Sequence, residues 1–135
     1  VRGIVALGNP AIWWAAVPAT AWALVTGWRA RDLRRLFIGA GFACLYLPWG
    51  LSPRTLNFSH YLFEALPYAC LALGLILDRA WDGPAGRAAR GYVVLVAALF
   101  LLFLPFLTAL PVSQDLWAFR FPWGAGLWTW FPTWI

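Results

Sequence analysis

Polar and apolar positions come in blocks along this chain. Four apolar runs stand out, at about 10–26, 36–51, 61–77 and 91–110. Their polar residues gather at the ends. The stretch from Ser52 to Trp81 shows this most clearly: Arg54, Asn57, His60, Tyr61 and Glu64 come first, an apolar run to Leu77 follows, and Asp78 and Arg79 close it. A helix on a soluble surface keeps a polar face along its whole length. A helix that crosses a bilayer keeps its polar groups at the mouths. The pattern predicts an all-α, polytopic membrane protein. It has four transmembrane helices in a single membrane domain over 1–135, with an aromatic-rich interfacial tail. The first three runs fall short of the ~20 residues a perpendicular span needs. Flanking Trp and Arg side chains extend them by interfacial anchoring and snorkelling.

Several helix signals are local. Gly8-Asn9-Pro10 reads as a start, with Asn9 as N-cap and Pro10 in the first turn. Pro18 is expected to kink the first helix and Pro67 the third, and Pro105 to bend the fourth near its end. Gly83-Pro84-Ala85-Gly86 reads as a turn.

Composition agrees with a membrane setting. Only 11% of the 135 residues are charged and 63% are hydrophobic, against about 25% charged in average globular chains. Such a chain lacks the charge to cover a soluble surface. Eleven Trp and ten Phe suit membrane interfaces. The net charge of +5 comes from Arg alone, since Lys is absent. These Arg residues sit between apolar runs and form no basic face interleaved with stacking residues, so nucleic acid is not an expected partner. Cys44 and Cys70 lie inside apolar runs and read as buried small hydrophobes. The sequence holds no Met and shows no signal peptide at Val1. It is therefore expected to be a piece, the C-terminal one, of a longer protein.

Charge also predicts sidedness. The segments 28–35 and 78–90 hold most of the Arg and are separated by two runs, which puts them on one side. The positive-inside rule makes that side cytoplasmic. Segment 52–59, Val1 and the tail from Pro111 to Ile135 then face outward. In the tail, Trp117, Trp123, Trp128, Trp130 and Trp134 alternate with Phe and Pro, too broken for a further span. It is expected to lie along the outer interface or over the helix ends, the alternative being an aromatic wall of a lipid or sugar groove.

Candidate chemistry clusters at the outward mouth. Arg54 is the one basic residue of its segment, and a guanidinium fork suits phosphoryl oxygens; the alternative is an Arg that snorkels to lipid headgroups. His60, Glu64 and Tyr68 follow i, i+4, i+8 spacing, and Tyr61 adjoins that stripe. The pair His60 and Glu64 reads either as a hydrogen-bonded link between helices or as a sugar-contacting, proton-handling pair. One His and one Glu make a poor metal site, so no metal is expected, and no cofactor motif is present. Asp32, Asp78 and Asp82 are expected to pair with Arg or cap helix ends, and Asp115 to be a solvated acid.

Two motifs carry a resemblance. LGNPAIWW (Leu7–Trp14) and SPRTLNFSHYLFEALPY (Ser52–Tyr68) resemble, in order and spacing, segments of the C-terminal membrane region of bacterial protein O-mannosyltransferases. The resemblance covers most of residues 3–110. It implies a polytopic enzyme of the cell (plasma) membrane that moves mannose from a polyprenyl-phosphate carrier to Ser/Thr hydroxyls of an acceptor protein on the outer side. In that family an acidic pair in the first outward loop carries catalysis, so catalytic residues are expected upstream of Val1. Arg54, His60, Tyr61 and Pro67 match the family pattern. Tyr68 stands where Phe is common. Glu64 is a candidate substrate contact that the family pattern does not assign. The competing readings are a related lipid-linked-sugar transferase with a non-protein acceptor, a non-enzymatic membrane scaffold, and a transporter or channel fragment.

Overall fold

A computed structural model of the chain describes residues 8–51, 63–119 and 122. Among the described residues the structure is helical, with no strand: α1 (Pro10–Ala30), α2 (Leu33–Leu51), α3 (Leu66–Trp81), α4 (Gly86–Leu107) and the short α5 (Gln114–Ala118). α1 and α2 contain the first two apolar runs; α3 begins at Leu66, inside the third run, and α4 ends at Leu107, three residues before the end of the fourth. One segment among the described residues, Gly86–Pro105, is long and apolar enough by itself to cross a membrane.

The start of α1 is the one its sequence predicts. The Asn9 backbone is extended (φ −70°, ψ 119°) and its side-chain oxygen accepts from the Ala11 N–H at 3.0 Å. Pro10 fills the first turn, where its missing N–H costs nothing. Pro18 lies inside α1 and Pro105 inside α4, two residues before its end. Pro67 corrects its expectation. It sits in the first turn of α3, which begins at Leu66 after a 3₁₀ turn over 63–65, so it starts a helix rather than kinking one.

The Arg-rich segments are also more helical than expected. α1 runs on through Arg29 and ends where Arg31 turns left-handed (φ 52°). Asp32 then caps α2: its Oδ1 accepts from the Arg34 and Arg35 N–H groups at 3.0 and 3.4 Å, and its Oδ2 pairs with Arg35 Nε at 3.0 Å. A four-residue turn over 82–85 joins α3 to α4, closed by Gly86 N–H donating to the Gly83 carbonyl at 2.9 Å. Asp78 and Asp82 form no ion pair among the described residues.

The core is built from small residues. Ala16, Ala19, Thr20, Ala23 and Gly27 form the buried stripe of α1. Against it lie Ile38 and Phe42 of α2, and Ala65, Ala69 and Ala72 beside and within α3. A Cβ on Gly39 would stand 2.7 Å from the Leu24 backbone nitrogen, and one on Gly27 2.7 Å from that of Leu36. These pairings make α1 and α2 antiparallel, and the Ala16–Ala65 and Ala23–Ala72 clusters make α3 run alongside α1 in the same sense. Small residues let helix backbones approach closely, the packing that helices use where lipid weakens the hydrophobic drive.

Large apolar side chains point outward. Trp28, Leu33, Phe37, Val94 and Leu101 are each at least 65% exposed. Cys44 and Cys70 are exposed as well, which corrects their reading as buried. An apolar run does not reveal which of its residues face neighbouring helices. Cys44 shares the outward α2 face with Phe37, Leu47 and Leu51, and Cys70 neighbours the outward Leu71 of α3.

α4 packs more loosely, and two long-range hydrogen bonds tie it to the start of α1. Asn9 Nδ2 donates to the Val96 carbonyl at 2.8 Å, and Tyr92 Oη donates to the Ala11 carbonyl at 2.9 Å. Asn9 therefore caps α1 with its oxygen and holds α4 with its nitrogen. Losing the cap costs about 1 kcal/mol, and an interhelical bond between membrane helices about 0.6 kcal/mol. In detergent, N9A is expected to lower the melting temperature more than Y92F, and the pair to be less than additive because both bonds fix the same contact. Unchanged melting in both variants would mean that the tether does not hold α4.

Candidate functional site

The expected site is the mouth where α2 ends and α3 begins. Its inner wall is well defined. Ala65 and Ala69 pack with Ala16 of α1 and Phe42 of α2, and Leu45, Tyr46 and Tyr68 lean on that cluster. Phe42 and Tyr46 stack with centroids 4.9 Å apart, and Tyr68 meets Phe37 at 5.6 Å. The Tyr68 ring also covers Gly41 so closely that a Cβ there would strike it.

Tyr68 is thus a half-buried wall residue. Glu64 is different: it lies on the exposed 3₁₀ turn just before α3. The expected continuous stripe through Glu64 and Tyr68 therefore breaks, because the α-helix starts only at Leu66 and the two residues occupy different surroundings. Arg54, His60 and Tyr61 lie outside the described residues.

The position of Glu64 has a physical consequence. Ala65 is the N-cap of α3 and has no side chain that can cap. The first-turn N–H groups carry the positive end of the helix dipole, and an acid beside them is stabilised. Glu64 has that place in sequence. A phosphate drawn to the same mouth would benefit from the same dipole.

Sequence reading missed two features of this end of the molecule. One is Tyr92, which looks like any interfacial Tyr until its hydroxyl is seen on the Ala11 carbonyl. The other is the close seat of Gly8 against Trp13: a Cβ on Gly8 would collide with the indole nitrogen. The run Gly-Asn-Pro followed by Trp is thus one local unit: Gly8 makes room for the ring, Asn9 caps and tethers, and Pro10 starts the helix.

This unit and the α3 start are the two motifs that carry the resemblance, and comparison with characterised proteins agrees. The chain is 32% identical over 146 aligned residues to the polyprenol-phosphate-mannose–protein mannosyltransferase of Mycolicibacterium smegmatis (strain ATCC 700084 / mc(2)155), covering 99% of this chain and 26% of that protein. Over its whole length, the chain matches a portion of this mannosyltransferase family. The proteins of the same name from Mycobacterium tuberculosis (strain ATCC 25618 / H37Rv) and Corynebacterium glutamicum match at 30% and 28% identity, over 99% and 98% of this chain. The chain spans about a quarter of the length of these curated relatives, 26% in each case. No family model matches the chain. No solved structure matches it either.

Proposed function

We propose that this chain is the C-terminal membrane portion of an enzyme that transfers mannose from a polyprenyl-phosphate carrier to Ser/Thr hydroxyls of proteins. The observation that carries the reading is the match along 99% of the chain to proteins named for that donor and that acceptor class. The helix arrangement is compatible with it. α1, α2 and α3 alternate in direction, their outward faces are apolar, and the turn over 82–85 sends α4 back. In this reading all four cross the plasma membrane. The helix junctions around 28–35 and 78–90 face the cytoplasm, and segment 52–59 and the C-terminus face outward.

The carrier has a long apolar tail and a charged phosphate. Its site needs an apolar groove with a cation at the mouth. The leaving group is a phosphate monoester whose negative charge grows as the sugar departs, and a guanidinium in a partly dry site stabilises it. Arg54 supplies that cation, and His60, Tyr61 and Glu64 contact the sugar or its phosphate. The catalytic acids belong to a part of the enzyme outside this chain, so the isolated chain is inactive. Membranes that carry the enzyme are expected to incorporate mannose into protein only when polyprenyl-phosphate mannose is supplied. Incorporation into lipid or glycan alone would replace the acceptor. Absence of transfer by protein that copurifies with a stable membrane partner would favour a scaffold.

A further inference from the structure

Tyr46 carries a polar group on an otherwise apolar face. The inward stripe of α2 runs through Ile38, Phe42, Leu45 and Tyr46 at helical spacing and meets small residues of α1 and α3. The Tyr46 ring stacks on Phe42, with centroids 4.9 Å apart and 15° between the planes, and packs on the cluster that Phe42 forms with Ala16, Ala65 and Ala69. The Tyr92 hydroxyl finds the Ala11 carbonyl. The Tyr46 hydroxyl has no hydrogen-bond partner among the described residues. A Tyr drawn this far into packing normally has one.

Helix register places this hydroxyl. Ile38 clusters with Ala72, and Tyr68 covers Gly41, so α2 and α3 run antiparallel. Going five residues on from Gly41 and five back from Tyr68 brings Tyr46 level with 63–64, on the 3₁₀ turn that carries Glu64. α2 continues from there to Leu51, so both groups are recessed by about 7.5 Å, at 1.5 Å per residue, from the end of that helix. Glu64 is exposed and forms no ion pair among the described residues.

A half-buried ring, an unpaired phenol hydroxyl and an unpaired carboxylate thus share one level of the mouth. Of the three parts of a polyprenyl-linked donor, the sugar suits them best. A phosphate is repelled by the carboxylate. A polyprenyl chain leaves both polar groups unsatisfied. A hexose has hydroxyls that donate to the carboxylate and accept from the phenol, and C–H groups that rest on an aromatic wall. We propose that the Tyr46 hydroxyl donates a hydrogen bond to the carrier-bound mannose, and that Glu64 accepts one from the same sugar. The proposal rests on the proposed function and adds a residue of α2 to its site.

The test titrates the full-length enzyme in detergent with polyprenyl-phosphate mannose and, separately, with bare polyprenyl phosphate, and reads binding by thermophoresis. Y46F keeps the ring and its stack and removes the hydroxyl alone. It is expected to weaken binding of the mannosylated carrier about fivefold, the worth of one neutral hydrogen bond. Binding of the bare carrier and the melting temperature are expected to stay as in the parent. Equal weakening of both carriers, or of neither, would overturn the proposal. Failure of Y46F to fold would overturn it too, because it would give the hydroxyl a structural partner. Transfer of mannose to protein by the parent reports separately on the proposed function. A selective loss in Y46F with no transfer to protein leaves the sugar contact standing and removes the protein acceptor. Transfer to protein with no selective loss removes the contact and leaves the proposed function. A parent that binds neither carrier overturns both.

Discussion

Replacing Arg54 with Ala in the full-length enzyme is expected to lower mannose transfer about a hundredfold, the range seen when one donor to a developing oxyanion is removed. The effect is electrostatic. Arg54 is the one Arg between Arg35 and Arg79, and the chain has no Lys. No second guanidinium of that segment can replace it. The donor phosphate gains charge as the glycosidic bond breaks, so the loss falls on turnover more than on donor affinity. R54K should recover part of the rate, because it restores the charge without the bidentate fork. Expression and melting temperature should stay close to those of the parent protein if Arg54 acts at the substrate, as proposed. Unchanged turnover and donor affinity in R54A would remove Arg54 from the site.

The second large effect is expected at Gly39. Its missing Cβ lets α2 lie directly on the backbone of α1 at Leu24, where the nitrogen, Cα and Cβ of Leu24 all stand within 2.7 Å of a built Cβ. Backbone cannot step aside as the end of a side chain can. Gly39→Leu must therefore push α1 and α2 apart along the stripe Ala19, Ala23 and Ile38. Overpacking of this kind costs about 1–3 kcal/mol, and more where neighbours are rigid. The expected result is a clear drop in melting temperature in detergent, with loss of transfer following loss of fold. Gly74 is the matched control. A Cβ there meets nothing within 4 Å, so Gly74→Ala is expected to leave melting unchanged or slightly raised. Equal behaviour of G39L and G74A would contradict the close α1–α2 approach.

Much of this was legible in the chain because it is local. The Asn9 cap and Pro10 first turn depend on adjacent residues, and the structure contains both. The turn before Gly86 is equally local. Pro67 was ambiguous because proline serves both as a first-turn residue and as a kink. What decides is whether the residues before it are already helical, and 63–65 are in a 3₁₀ turn. Contacts across long separations left no comparable mark. Asn9 reaches Val96 and Tyr92 reaches Ala11, and neither partner offers more than a backbone carbonyl, which every residue has. The same holds for Trp22, whose two Arg neighbours come from different helices. Of the candidate site, the wall through Phe42, Tyr46 and Tyr68 emerged only from packing, because apolar runs do not declare which residues turn inward.

The central claim is that these four helices cross the membrane and open the Arg54 mouth outward. Single-cysteine accessibility tests it most directly. Cys44 and Cys70 are exposed on the helix faces, so both are first replaced by Ala. Cysteine is then placed at Ser52, Ser59, Arg34 or Gly83, and intact cells are treated with a membrane-impermeant maleimide. Labelling of S52C and S59C in intact cells, and of R34C and G83C only after permeabilisation, is the predicted result. Labelling of all four in intact cells, or the reverse pattern, would contradict the account.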